Sequence, residues 1–242
     1  MPWDFILIFL ILGVVVPWRG AIRVRKLLAR PALTTTDRLA LYASTIAFQW
    51  LAVGMVTWRS LARGLSLHEL GLTLPHPFHT VVVTTLITTA FCAFQFFGLR
   101  HAARVPPNQR GLVQQLAAKI LPQNSIEQLA FIALVATVAL CEEFLYRGFA
   151  FAAIARAAHQ SLFAAALVSA LFFAVAHLYQ GRRGLISTFL IGIVFATVRI
   201  TEESLAPAIV AHLFVDLIAG LLAPRLLLRR TQGEQAALSP PH

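Results

Sequence analysis

Cys141–Gly148, C-E-E-F-L-Y-R-G, follows the apolar run Leu129–Leu140 and sets two adjacent glutamates and an arginine in sequence that otherwise suits hydrocarbon. A charge at the centre of a membrane helix costs about 3 kcal/mol on translocon scales, so ionisable residues there are retained for a reason. Glu143 and Arg147 are four residues apart and share a helix face, where they can pair. Pairing offsets part of the cost of burying both. Glu142 lies about 100° further round the helix and is left free.

The rest of the chain has the composition of a membrane protein. Of its 242 residues, 58% are hydrophobic and 12% charged, against about 25% charged in a soluble domain. An all-α polytopic bundle of about seven spans (six to eight by length) is expected, at roughly 20 residues per span. The spans read as Trp3–Trp18, Leu39–Trp58, Thr80–Leu99, one from Ser125 through Arg147, Ser161–Tyr179, Leu185–Ile200 and Leu205–Leu222. Residues 1–124 form N-terminal helices and loops, 125–224 a C-terminal core of four spans, and 225–242 a basic, disordered tail. Ser125 and Gln128 read as a capping box opening the fourth span. Ser66–Gly71 reads as a short interfacial helix capped by Ser66, Gly111–Leu121 as either a surface helix or a loop, and Gly181–Gly184 as a tight turn. His68, His76 and His79 read as solvated loop histidines in preference to a metal cluster.

The formal charge is +10. No aromatic-interleaved basic groove accompanies it, so nucleic-acid binding is excluded. With the N-terminus outside, 15 of the 20 Lys and Arg fall on the inside, as the positive-inside rule requires. The densest group, Arg19, Arg23, Arg25, Lys26 and Arg30, is expected in a cytoplasmic loop. Eighteen arginines against two lysines point to a GC-rich bacterial source and its plasma membrane. Cys92 and Cys141 lie in apolar runs and read as small buried hydrophobes.

Three spans of the core carry polar groups out of place in lipid: Glu142, Glu143 and Arg147; then His177; then His212 and Asp216. His212 and Asp216, four residues apart, also share a face. Two histidines and a free carboxylate can hold and activate a water for peptide hydrolysis, or ligate zinc with an open position. They can equally serve a proton pathway or tie helices together. The H-E-x-x-H, G-x-G-D and buried-serine signatures of other intramembrane proteases are missing. No internal repeat supports a transporter.

The order and spacing of these residues resemble the CPBP family of membrane proteins, which includes type II CAAX prenyl endopeptidases and bacteriocin-processing or immunity proteins. Its E-E-x-x-x-R motif is matched by Glu142–Arg147, its F-x-x-x-H motif by Phe173–His177, and its H-x-x-x-Asn/Asp motif by His212–Asp216. The resemblance covers roughly Ser125–Leu222. It implies that Glu142 is the general base, that His177 helps hold the water, and that His212 and Asp216 stabilise the oxyanion or position the carbonyl. Glu143 and Arg147 would form the supporting pair, with Phe173 packed beside the site. Asp216 stands where the prenyl endopeptidases have Asn; ionised, it cannot donate a hydrogen bond as Asn does. The implied substrate is a membrane-associated peptide or protein, prenylated (CAAX-type) or a peptide precursor. Zinc on Glu142, His177 and His212, or a metal-free glutamate mechanism, fits the same motifs. A non-proteolytic immunity or regulatory protein of this fold is the alternative.

Overall fold

The computed structural model describes residues 1–105 and 112–224; the basic tail expected from Arg225 lies outside them. Eight helices are described: α1 Trp3–Ala29, α2 Thr35–Ala62, α3 Pro77–Ala102, α4 Leu112–Ile120, α5 Ser125–Ala157, α6 Leu162–Ala176, α7 Leu178–Glu202 and α8 Ala206–Ala223. All but α4 and α6 are long and apolar enough to cross a membrane. The chain is an integral membrane protein with a polytopic helical bundle.

Helix α5 organises the bundle. Its first half packs on α2 and α8, and its second half on α6, which pairs with α7. Helix α8 also lies along α3. The two halves of α5 meet in a π-helical segment, Phe144–Ala150. Such wide turns gather at functional sites. Every residue from Glu143 to Ala155 is buried, the pattern of a helix enclosed on all sides. Close approaches depend on small residues. A Cβ on Gly220 of α8 would come within 1.9 Å of Phe131 on α5, and one on Gly148 would meet the Leu70 carbonyl at 3.0 Å.

Several boundaries differ from the sequence expectation. The first span continues to Ala29, and Arg19, Arg23, Arg25 and Lys26 lie on its exposed faces, not in a loop. Pro17 lacks an N–H and its ring crowds the carbonyl four residues back; the π-helical turn Ile11–Val15 just before it accommodates this. Arg23 reaches Ser44 Oγ on α2 at 2.8 Å, and Lys119 of α4 donates to the carbonyls of Leu27, Leu28 and Arg30 at the end of α1. Such cations suit a helix C-terminus. The cap of α5 is Asn124, not Ser125: its side chain accepts from Glu127 N at 3.0 Å. Glu127 is held in turn by both Arg38 bonds, 2.7 and 3.0 Å.

Ser66–Gly71 makes a single turn, not a helix, although Ser66 does cap it through Glu69. This loop sinks into one end of the bundle. Leu65 and Leu70 are buried there. Leu205 N donates to Gly71 O at 2.8 Å, Arg199 Nη2 to Glu69 O at 2.6 Å, and Arg156 grips both Glu69 carboxylate oxygens at 2.7 Å. His68 and His79 pair with Glu203 and Glu202, each at 2.9 Å.

The expected fifth span is shorter than read. Helix α6 has 15 residues and ends at Ala176. His177 follows it with φ −101° and ψ 15°, outside the helix. Gly181–Gly184 forms the opening of α7's regular part rather than a turn. The reversal lies just before it, in the 3-10 turn Leu178–Gln180, and Gly181 takes φ +77°.

Candidate functional site

The three polar groups that the sequence places on separate spans converge between α5, α8 and the α6–α7 corner. Glu143 and Arg147 are completely buried, with Glu143 Oε1 accepting from Arg147 Nη1 at 3.1 Å. The same oxygen lies 2.9 Å from His212 Nδ1. One carboxylate oxygen therefore ties α5 to itself and to α8. A carboxylate only accepts, so His212 Nδ1 is the protonated nitrogen in that contact.

Arg147 spends its remaining capacity on rings. Its Nε and Nη2 are buried without a hydrogen-bond partner. Its guanidinium lies 3.9 Å from the centroid of Phe173 and 5.5 Å from that of Phe195. The aromatic faces supply the attraction that hydrogen bonds would otherwise give. Phe173 thus bridges the buried pair and the histidines: its ring is 4.6 Å from His177 and 6.3 Å from His212, centroid to centroid.

His177 is oriented by the end of α6. Its Nδ1 lies 2.8 Å from Phe173 O. A carbonyl accepts only, so Nδ1 carries a proton, and in the neutral ring Nε2 keeps its lone pair. That nitrogen faces Glu142 Oε2 across 4.0 Å. The gap is too long for a direct hydrogen bond, and it suits a water joining the two groups. Glu142 Oε2 is buried and has no hydrogen-bond partner in the protein, while Glu142 Oε1 accepts from Gln49 Nε2 of α2 at 3.3 Å. Glu142 and His177 keep a small exposure, 18% and 16%, whereas Glu143 has none. The adjacent glutamates are thus separated into an enclosed one and an accessible one.

On α8, His212 Nε2 is 3.6 Å from Asp216 Oδ2. Asp216 is the most open of the set, at 33%. All of Glu142, Glu143, Arg147, Phe173, His177, His212 and Asp216 thus meet around one site. Gln49 was not singled out in the sequence. Its one signal was an amide inside the apolar span Leu39–Trp58, which does not reveal the helix it faces.

The donor set does not fit zinc in this arrangement. Among the described residues no three His, Cys, Asp or Glu side chains converge as metal ligands. His212 Nδ1 is held by Glu143 at 2.9 Å, while its Nε2 lies 3.6 Å from Asp216, outside hydrogen-bond range, and stays available to a substrate group.

Residues 124–218 match the family model described as type II CAAX prenyl endopeptidase Rce1-like. The match spans all three motifs and bears out the CPBP resemblance there, while α1–α3, including Gln49, lie outside it. No curated protein and no solved structure matches the chain.

Proposed function

We propose that this Rce1-like membrane protein is an endopeptidase that cleaves a peptide bond in or beside the bilayer, using a water activated by Glu142. The observation that carries the reading is the 4.0 Å separation of Glu142 Oε2 and His177 Nε2, with each group aimed by a hydrogen bond on its other side. A water between them donates one hydrogen to the carboxylate and the other to the imidazole. Its oxygen lone pairs are then free for the substrate carbonyl.

Glu142 takes a proton as the water oxygen bonds to the carbonyl carbon. The negative charge moves to the carbonyl oxygen, where a protonated His212 Nε2 offers a donor. Asp216 orients that ring from one side and Glu143 from the other. Collapse of the intermediate breaks the C–N bond, and the proton held by Glu142 passes to the leaving amine. This assigns Asp216 an orienting role, which an ionised carboxylate can fill, in place of the donor role open to Asn. No step passes through a metal.

The substrate class is a membrane-associated peptide or protein, either prenylated with a CAAX-type terminus or a peptide precursor, and the setting is a bacterial plasma membrane. The buried Glu143–Arg147–His212 network would serve equally to hold helices together in a non-proteolytic regulator, so Glu142 is the residue that discriminates. Purified wild type, Glu142→Gln and His177→Ala are reconstituted and assayed on quenched-fluorescent lipidated and precursor peptides. Both variants should lose cleavage while keeping the wild-type unfolding midpoint. Full cleavage by a folded Glu142→Gln variant would reject the mechanism, and loss of folding would favour the structural role.

A further inference from the structure

We propose that Gln49 is a positioning residue that holds the Glu142 carboxylate in register with His177. The inference rests on the reading of Glu142 as general base. Gln49 lies on α2, beyond the stretch that matches the family model. Its Nε2 donates to Glu142 Oε1 at 3.3 Å.

Three observations point the same way. First, the two oxygens of Glu142 have different surroundings: Oε1 meets Gln49 and Oε2 faces His177 Nε2. Rotation about the terminal bond of a glutamate is soft, so a donor on one oxygen determines where the other points. Second, α2 is keyed to α5 by a second contact, from the next residue. Trp50 Nε1 donates to Thr137 Oγ1 at 3.3 Å, which fixes how far α2 can slide. The neighbours Phe48 and Leu51 are exposed at 52% and 73%, as expected of residues that face lipid, so the Gln49 amide is turned inward. Third, the tie is uncharged. The titratable groups around Glu142 are Cys141, Glu143, Tyr146 and Arg147 on its own helix, His177 and Tyr179 from the α6–α7 corner, and His212 and Asp216 from α8. A lysine at position 49 would add an ion pair and weaken the base, whereas an amide aims it without neutralising it.

A purely structural reading treats the contact as ordinary interhelical glue. The two readings separate in an experiment that needs no substrate. Dicyclohexylcarbodiimide attacks protonated carboxyl groups in apolar surroundings. Labelling of Glu142 in the full-length protein is followed by tandem mass spectrometry across pH, with Glu142→Gln as the control for site assignment. Gln49→Met keeps the side-chain length and removes the donor. Its labelling should persist to higher pH by about one to two units, the size of one hydrogen bond to a charged group. Gln49→Glu should shift labelling further, because two carboxyls then share one site. The unfolding midpoint of Gln49→Met should stay near wild type, and on any peptide the wild type cleaves, kcat should fall about tenfold with KM unchanged. A Gln49→Met variant with a wild-type labelling profile overturns the proposal. So does a lowered unfolding midpoint with unmoved labelling, which is the outcome for glue alone. If labelling shifts as expected but Glu142→Gln cleaves like wild type, the proposed mechanism has failed and the positioning role fails with it.

Discussion

The ion pair inside α5 permits a quantitative test of how the site is held. Glu143 and Arg147 are both fully enclosed and 3.1 Å apart. At an effective dielectric constant of about 20, charges at that distance attract by about 5 kcal/mol. The net value of the pair is smaller, because both charges were taken out of water. Losing one partner is a different matter: removal of Glu143 strands Arg147, and removal of Arg147 leaves Glu143 with the His212 contact alone. Arg147→Met should therefore cost about 3–5 kcal/mol, including the contact of the guanidinium with the Phe173 face at 3.9 Å. Glu143→Gln should cost a similar amount, because it strands Arg147 and weakens the His212 contact. In the double variant neither charge is stranded, so its cost should fall below the sum by about 2 kcal/mol or more, within the range of coupled neighbours. The assay is equilibrium unfolding in mixed micelles of the wild type, both single variants and the double variant. Single variants within about 1 kcal/mol of wild type would refute the reasoning, because that value belongs to exposed pairs. So would strictly additive costs.

Other consequences follow from particular contacts. Gly220→Ala should destabilise the bundle by about 1–3 kcal/mol, because the new Cβ would fall 1.9 Å from Phe131; adding Phe131→Leu should recover much of the loss in the same unfolding assay. The Glu69 carboxyl is held down at about 2, chiefly by its hydrogen bonds from Arg156. A carboxyl lowered on folding adds stability above its ordinary value of 4.5 and loses it as pH falls towards 2. Amide exchange at Leu70 and Leu72, corrected for intrinsic rates, should therefore accelerate between those pH values, and Arg156→Gln should produce the faster exchange already at neutral pH. Metal analysis of the purified protein should find no stoichiometric zinc, and cleavage should survive chelators; one zinc per chain, lost in His177→Ala, would overturn the metal-free mechanism.

Much of this was legible in the chain because membrane helices write their limits in composition. The convergence of Glu142, His177 and His212 was readable because charge in an apolar span demands an explanation. What stayed hidden was tertiary. The run ending at Trp18 looked complete because arginines follow, yet long basic side chains can cover an apolar surface and leave a helix to continue. The Ser125 cap was displaced by one residue because Asn124 and Glu127 bind each other reciprocally. His177 was assigned to a span because it follows fifteen apolar or small positions. Only its backbone angles place it at a corner, where its ring can turn towards Phe173 O. Gln49 carries no charge and no periodic signal, and its partner lies 93 residues away.

Helix α6, with its 15 residues, is about 22 Å long at 1.5 Å per residue, while the hydrocarbon layer is about 30 Å thick. Crossing a bilayer at that length would leave a shortfall of about 8 Å, of the kind that lipids meet by thinning. For a hydrolase this resolves a supply problem. The reaction consumes one water per bond, and bulk solvent is excluded from the acyl chains. Thinning at the α6–α7 corner, beside the exposed Arg182 and Arg183, would bring solvent closer to the depth of His177. Turnover on this reading becomes a property of the host membrane as well as of the protein, falling as the acyl chains lengthen and the thinning becomes costlier to maintain.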